Sequence, residues 1–97
     1  MGYIVADICN FPMMCAGCAT NFYKTEAEAY LAVKDILYYQ RLTDQIVVWE
    51  GEEKDLAHSF SIPPENVNIL FQWNKYNLDN NIIKKNSCWE LFEKDIY

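Results

Sequence analysis

The feature that most constrains the fold is a helix signal that begins at Thr25. Thr25 is followed three residues later by Glu28, which is the capping-box pattern: the Thr side chain accepts from a free helical N–H and the Glu side chain reaches back. Glu26 and Glu28 also lie where the positive end of the helix dipole favours carboxylates. The pattern therefore predicts a helix from Glu26 to about Arg41.

Apolar residues occupy two sides of this predicted helix. One stripe consists of Ala29, Ala32, Val33, Ile36 and Leu37, with Tyr30 at its edge. The second stripe, which lies among charged residues, consists of Ala27, Leu31, Tyr38 and Leu42. We expect both stripes to belong to one small core; the alternative is that one of them meets a partner.

The segments around the helix favour strands. Alternation from Tyr3 to Ile8 or Cys9 predicts a first strand, and residues 21–23 could close a hairpin with it. The β-branched run 46–49 predicts a central strand, and alternation over 67–73 predicts another. Residues 82–84 favour a further strand, and for the tail at 87–93 we expect a last strand, with a short terminal helix as the alternative. The whole chain, 1–97, is thus predicted to be a single α+β domain in which a small, mostly antiparallel sheet packs on one principal helix at about 26–41.

The charge of the chain restricts its partners. With 8 Lys and Arg against 14 Asp and Glu, the net charge is −6, which argues against direct nucleic-acid binding because phosphates require a basic surface. The N-terminus has no basic residue ahead of its apolar stretch, and no apolar run approaches the ~18 residues that span a bilayer. We therefore expect a cytoplasmic protein with no membrane partner.

The 4 cysteines form the sharpest chemical pattern. Cys15 and Cys18 are a Cys-x-x-Cys pair, which can form a small disulfide loop or share a metal. A structural zinc would need further ligands, for which Cys9, Cys88 and the single His58 are the candidates. Plain apolar thiols remain the main expectation, so no cofactor is predicted, with zinc as the alternative.

The surroundings of this pair resemble the thioredoxin layout. Cys15-Ala16-Gly17-Cys18 follows a strand and precedes a long helix and the strand at 46–49, and residues 56–63 resemble the lead-in to that family's active-site proline. The resemblance implies that Cys15 attacks, Cys18 resolves and Pro63 is the cis-proline beside them. The capping box, however, places the helix start at Thr25, so the pair would lack the helix terminus that lowers a thiol pKa.

Other catalytic templates lack their residues. A Ser–His–Asp or Cys–His site would have to use His58, and the 3 glycines do not form a phosphate-binding loop. We therefore predict no enzymatic activity, with thiol-disulfide oxidoreductase as the alternative.

Acidic and aromatic residues favour a role in protein binding. Four acids fall within six residues, Glu50, Glu52, Glu53 and Asp55, and the chain has 7 Tyr and 3 Trp, residue types that are enriched in interface hot spots. Together with Tyr38 and Tyr39 these acids form the predicted partner-binding site, and the partner would be a basic protein surface, such as the nucleic-acid-binding face of another protein. The acids could instead be a solvated loop and the tyrosines could be core.

A compact, acidic, aromatic-rich chain is similar to small phage-encoded inhibitors, anti-CRISPR proteins among them. The matched features are the helix opening Thr25-Glu26-Ala27-Glu28-Ala29 and the closing segment Ser87-Cys88-Trp89-Glu90. The resemblance implies a few strands and one helix without a catalytic site, used to block a host protein. An acidic antitoxin, a dithiol oxidoreductase that uses Cys15 and Cys18, and a small zinc-binding regulatory protein are the alternatives.

Overall fold

A five-stranded antiparallel sheet is the framework of the protein. The computed structural model describes residues 1–8, 19–40, 44–54 and 67–96. The strands, in the spatial order β2-β1-β3-β4-β5, are β1 (Gly2–Ile8), β2 (Ala19–Tyr23), β3 (Gln45–Gly51), β4 (Ile69–Asn74) and β5 (Ile82–Ile83). Each neighbouring pair is antiparallel. The predicted α+β class, the hairpin of β1 with β2 and the central position of β3 are confirmed.

One principal helix, α1 (Glu26–Asp35), links β2 to β3 and packs on one face of the sheet. We call this face the helix side and the opposite face the far side. Because β1 lies between β2 and β3 and is antiparallel to both, β2 and β3 run in the same direction, and such a connection needs a crossover element. Thr25 caps the helix as predicted: its Oγ1 accepts from the Glu28 N–H at 3.2 Å and donates to Glu28 Oε1 at 3.1 Å. The helix continues as a five-residue π-helical turn, Ile36–Gln40, so its end agrees with the predicted one near residue 41.

The sheet is buried on both faces. The helix-side core joins strand residues such as Val5 and Val48 to Ala29 and Val33 of α1 and to Ile36 of the π-helical turn. The far-side core consists of Ile4, Ala6, Val47 and Trp49, all at most 1% exposed, with Phe22, Val67 and Ile69 packed against them. Four consecutive buried residues, Ile46–Trp49, therefore supply both cores, which is the pattern of a strand covered on two sides.

A β-bulge in β4 changes the expected alternation. Val48 pairs with Phe71 and Trp49 pairs with Ile69, so Leu70 is the extra residue in β4. Leu70 and Phe71 consequently both lie in the helix-side core, and both are fully buried. Strict alternation over 67–73 would place Leu70 and Phe71 on opposite faces; the inserted residue puts both on the helix side and reverses the faces beyond it.

The C-terminal segment is helical, and the predicted last strand is wrong. Residues Cys88–Phe92 form a 3₁₀-helix that leads into a short α-helix, α2 (Glu93–Ile96). Ser87 caps it, with its Oγ accepting from the Trp89 N–H at 3.3 Å and donating to the Lys84 carbonyl at 2.7 Å. Asn86, which adopts φ 58°, turns the chain into this helix, and its N–H donates to Glu90 Oε1 at 3.0 Å.

The C-terminal helix closes the helix-side core. Trp89 and Phe92 are fully buried and pack with Tyr30 of α1 and Phe71 of β4. The ring centroids of Tyr30 and Phe92 are 4.7 Å apart in a stacked arrangement, and those of Phe71 and Trp89 are 5.7 Å apart. The contacts among these four rings pack the C-terminal helix, which comprises residues 88–96, against α1 and β4.

Candidate protein-binding surface

The structure separates the residues that the sequence had grouped into one binding site. Tyr3 pairs with both Tyr23 and Glu50, so α1 begins at the end of the sheet where β3 finishes. Tyr38 and Tyr39 follow α1 and lie at the opposite end, where β3 begins. The part of β3 from Ile46 to Glu50 alone spans roughly 14 Å at about 3.4 Å per residue.

We call these two regions the glutamate end and the tyrosine end. The glutamate end comprises Glu26, Glu28, Glu50, Glu52 and Glu53. The tyrosine end comprises Tyr38, Tyr39, Tyr76, Asp7, Asp35 and Asp44. Asp55, the last acid of the predicted site, lies outside the described residues.

Several carboxylates of the glutamate end are engaged by their own neighbours. Glu50 accepts a 3.4 Å hydrogen bond from the Asn68 side chain, and its backbone N–H donates to the Asn68 carbonyl at 3.2 Å. Glu52 pairs with Lys54 at 3.1 Å, and the hydrogen bond and charge of Lys54 lower the pKa of Glu52. Glu53 is exposed. No exposed aromatic residue accompanies them among the residues that the structure describes.

A carboxylate also meets a thiol and a phenol at this end. Cys88 Sγ donates to Glu26 Oε1 at 3.5 Å; burial, this hydrogen bond and the carboxylate charge raise the pKa of Cys88 to about 11. Burial raises the pKa of Tyr3 above its ordinary value, and the carboxylates of Glu26 and Glu50 raise it further. At neutral pH Cys88 is thus a protonated thiol with little nucleophilic character.

The tyrosine end presents rings to solvent. Tyr39 is 78% exposed and Tyr76 is 72% exposed, whereas Tyr38 is at 36%. The Tyr76 hydroxyl donates to Asp44 Oδ1 at 3.3 Å, which holds the segment after β4 against the residue that precedes β3. Tyr38 and Tyr39 belong to the π-helical turn, a conformation that is rare in proteins and is frequent at functional sites.

The second apolar stripe of α1 is not core, so the expectation that both stripes belong to one core is wrong. Ala27 is exposed, Leu31 is 60% exposed, and Tyr38 continues the line toward the tyrosine end. Leu42 lies outside the described residues. The outer face of α1 therefore carries an exposed apolar line that ends at the tyrosine end.

A cavity that the sequence did not predict lies between the C-terminal half of α1 and strands β1 and β2. It measures about 190 Å³, and the described residues that line it are Val5, Asp7, Asn21, Tyr23, Ala32, Asp35 and Ile36. Burial raises the pKa of Tyr23, and the carboxylates of Asp35 and Glu28 raise it further, so Tyr23 is a neutral phenol here. The period of two along β1 was the available signal, because it places Asp7 on the same side as the buried Val5.

The residues of the alternative redox and zinc sites cannot be placed in the same way. Cys15, Cys18 and Pro63 lie outside the described residues, as do Cys9 and His58. Thr25, rather than a cysteine, occupies the N-cap of α1, and β2 stands between it and the Cys-x-x-Cys segment in the chain. Within the described residues no group of three or more His, Cys, Asp and Glu side chains could hold a metal ion.

Comparisons with known proteins do not assign the chain to a family. No protein-family model matches it, and neither the curated proteins nor the solved structures contain a match. None of the helices in the described part of the chain has the length and apolar character needed to cross a membrane.

Proposed function

We propose that this chain is a non-enzymatic protein-binding module whose tyrosine end occupies a basic surface of another protein. The surface blocked would be one that binds nucleic acid, and the module would act as a small inhibitor of the kind that phages and mobile elements carry. The observation that supports this proposal is the grouping of exposed tyrosines with aspartates at one end of a chain whose net charge is −6.

Exposed tyrosines are suited to binding because each ring contributes a large contact area and a hydroxyl at a low cost in side-chain entropy. Leu31, which is 60% exposed on the outer face of α1, extends the apolar area from the rings along the helix. Negative charge beside such a patch accelerates the encounter with a basic partner and disfavours acidic ones.

The proposal is tested by capture followed by competition. The full chain is immobilised, bound proteins are recovered from a host lysate, and each is assayed for nucleic-acid binding with and without one equivalent of the free chain. We expect a partner with a basic surface whose nucleic-acid binding falls as the chain is added, and whose capture weakens as salt is raised.

Matched variants assign the binding to the tyrosine end. Leu31→Ser and Tyr39→Ser should reduce capture at least fivefold, whereas Leu91→Ser should leave it unchanged. Leu91 is a close control because it is also 60% exposed but lies on the C-terminal helix. Equal capture by all variants, or a partner that retains its nucleic acid in the presence of the chain, would contradict the proposal.

A further inference from the structure

The outer face of α1 has the residue spacing of a helix that packs against another helix. Ala27, Leu31 and Lys34 follow one another at intervals of four and three residues, and all three are exposed, Leu31 at 60%. Alternating intervals of four and three keep side chains on one line along the contact between two packed helices. A second helix can therefore lie along this face.

The charges on this face are placed symmetrically about Leu31. Glu28 lies three residues before Leu31 and Lys34 lies three residues after it, and both are exposed. Residues three apart on a helix are neighbours on its surface, so the two charged side chains flank Leu31. Opposite charges at equal distances from one apolar residue make the face complementary to a copy of itself.

Two-fold symmetry determines how two such faces meet. In a two-fold interface the same patch is used by both copies, so a contact between two residues occurs twice. With Leu31 on the axis the helices run antiparallel, and Glu28 of each copy lies level with Lys34 of the other, about 4.5 Å along the helix from Leu31 at about 1.5 Å per residue. A parallel arrangement in register would place like charges side by side, which repulsion disfavours.

The distances between packed helices allow these pairs to form. The axes of packed helices are about 8–10 Å apart, which the long side chains of Glu and Lys can span between level positions. Glu28 Oε1 accepts from the Thr25 hydroxyl at 3.1 Å. A carboxylate has about four lone-pair sites, so Glu28 can accept a lysine ammonium in addition to this bond.

We propose that the outer face of α1 binds a second copy of this chain, in an antiparallel two-fold dimer with Leu31 at its centre and a Glu28–Lys34 pair on each side. A single helix face belongs with the weak interfaces that bury less than ~1,200 Å². The net charge of −6 on each copy also opposes association. We therefore expect a weak dimer, with a Kd between about 10 μM and 1 mM.

The dimer goes beyond the proposed function and would compete with it. Leu31 belongs both to the self-association face and to the apolar area that extends the tyrosine end. A partner bound there would therefore displace the second copy, and dimerisation would cover Leu31 while no partner is present.

Sedimentation of the full chain tests for the dimer. The chain is studied from about 10 μM to about 1 mM, with a reducing agent present so that its 4 cysteines form no cross-links. We expect the average mass to rise with concentration toward twice that of one chain. Leu31→Ser should weaken association at least fivefold, whereas Leu91→Ser, a residue of equal exposure on the C-terminal helix, should change it less than twofold. A constant mass, or equal effects of the two variants, would overturn the proposal.

Charge reversal tests the antiparallel pairing. Glu28→Lys and Lys34→Glu should each weaken self-association at least fivefold, because each places like charges together in both pairs. An equimolar mixture of the two variants should restore it, since both pairs then join opposite charges. Glu93→Lys and Lys94→Glu make the same changes of net charge on exposed residues of α2 and should change association less than twofold, alone or mixed. Failure of the first mixture to restore association would overturn the pairing.

A measurement on the unaltered chain covers the case in which Glu28→Lys does not fold, since Glu28 also belongs to the cap of α1. In a mixture of ¹³C-labelled and unlabelled chains, isotope-filtered NMR detects only contacts between copies. We expect contacts from the Leu31 methyl groups of one copy to Leu31 and Lys34 of the other. Contacts between copies at other surfaces alone would contradict the proposal.

The two proposals can fail separately. Lys34→Glu should abolish most of the dimer and leave capture of a basic partner intact. Capture that depends on Leu31 and Tyr39 in a chain that stays monomeric would overturn the dimer and leave the proposed function standing. A dimer with the expected charge pairing and no captured partner would do the reverse.

Discussion

The two apolar stripes of α1 are alike in sequence and opposite in structure. Ala29, Val33 and Ile36 on the inner stripe are at most 8% exposed and belong to the helix-side core. On the outer stripe Leu31 is 60% exposed and Tyr38 is 36% exposed. Both stripes follow the same helical spacing, so spacing alone does not distinguish them.

The stripes differ in whether other parts of the protein pack against them. The inner stripe meets the sheet and the rings of Trp89 and Phe92. The outer stripe is interrupted by Glu28, Lys34 and Asp35, all of which are exposed. The charged neighbours stay hydrated, so the outer line remains in contact with water; under the proposed function, a partner would cover it on binding.

The largest expected loss of stability comes from removing a ring of the C-terminal helix that packs on the inner stripe. Phe92→Ala should lower the free energy of unfolding by about 3–5 kcal/mol, because Phe92 is fully buried and stacks on Tyr30 at 4.7 Å. Urea denaturation followed by tryptophan fluorescence measures the change. Leu91→Ala, next to it and 60% exposed, should cost at most about 0.5 kcal/mol. Similar losses for the two variants would show that this helix does not close the core.

A direct comparison of the stripes gives the next effect. Ile36→Ala on the inner stripe should cost about 2–4 kcal/mol, since the lost side chain leaves a cavity against the sheet. Leu31→Ala on the outer stripe should change stability by at most about 0.5 kcal/mol, because its side chain is mostly in water. Both are measured by thermal and urea unfolding. Equal losses would mean that Leu31 is part of the core and would remove the support for a binding face on α1.

The sequence was sufficient for elements whose signals are local. The capping box at Thr25 and Glu28, the buried run 46–49 and the hairpin of β1 with β2 all depend on residues near one another in the chain. The same local rule applies at Ser87 and Glu90, whose spacing is that of a capping box, so the terminal helix was predictable from a signal already used at Thr25. Residues 88–92 on their own fit a strand as well as a helix, and the cap is the local signal that separates the two.

The candidate site was less predictable because it depends on which elements meet. Glu50 and Tyr38 are close in sequence. Tyr38 precedes β3 and Glu50 lies near its end, so the length of β3 separates them and they lie at opposite ends of the sheet. Asp7 and Asp35, which are distant in sequence, line one cavity because α1 crosses β1. The bulge at Leu70 is a similar case, since an inserted residue is visible only once the register with β3 is known. The periodicity of a sequence shows which residues of a helix or strand share a face, but it does not show which other helix or strand that face packs against.

Removing the helix cap should give a smaller loss of stability than the core substitutions. It acts on the start of α1, and therefore on both stripes together. Thr25→Ala should lower the free energy of unfolding by about 1 kcal/mol, because the Glu28 N–H loses its acceptor. Thr25→Ser keeps the hydroxyl, and Ser is at least as good an N-cap as Thr, so this variant should change the free energy of unfolding by less than about 0.5 kcal/mol. Hydrogen exchange at the amides of residues 28–33 should accelerate in the alanine variant alone. A loss of the same size for serine would show that the methyl group, rather than the cap, is what contributes.

The last expected effect appears only at alkaline pH and depends on a thiol at the inner side of the first helical turn. The pKa of Cys88 is raised from 9.0 to about 11 by burial and by its hydrogen bond to Glu26. Above pH 9 the unfolded thiol ionises while the folded one stays protonated, so the folded state binds more protons and stability falls as pH rises from about 9 to 11. Below pH 9 both forms are protonated and this contribution to stability is complete. Cys88→Ala should therefore flatten the decline in the free energy of unfolding across that range.

A thiol on the outer stripe provides the matched control for this measurement. Leu31→Cys in the Cys88→Ala background should titrate near the ordinary cysteine value, because position 31 is in water and a thiol there would have no buried environment to disfavour its charge. The ¹³Cβ shift of each cysteine followed by NMR gives both titrations in the folded protein. Tyr23, whose pKa is also raised, has no contribution from Cys88, whereas the raised pKa of Tyr3 includes one. If the thiols at 88 and 31 titrated together, Cys88 would be no more desolvated than a surface thiol, which would contradict its packing against the helix-side core.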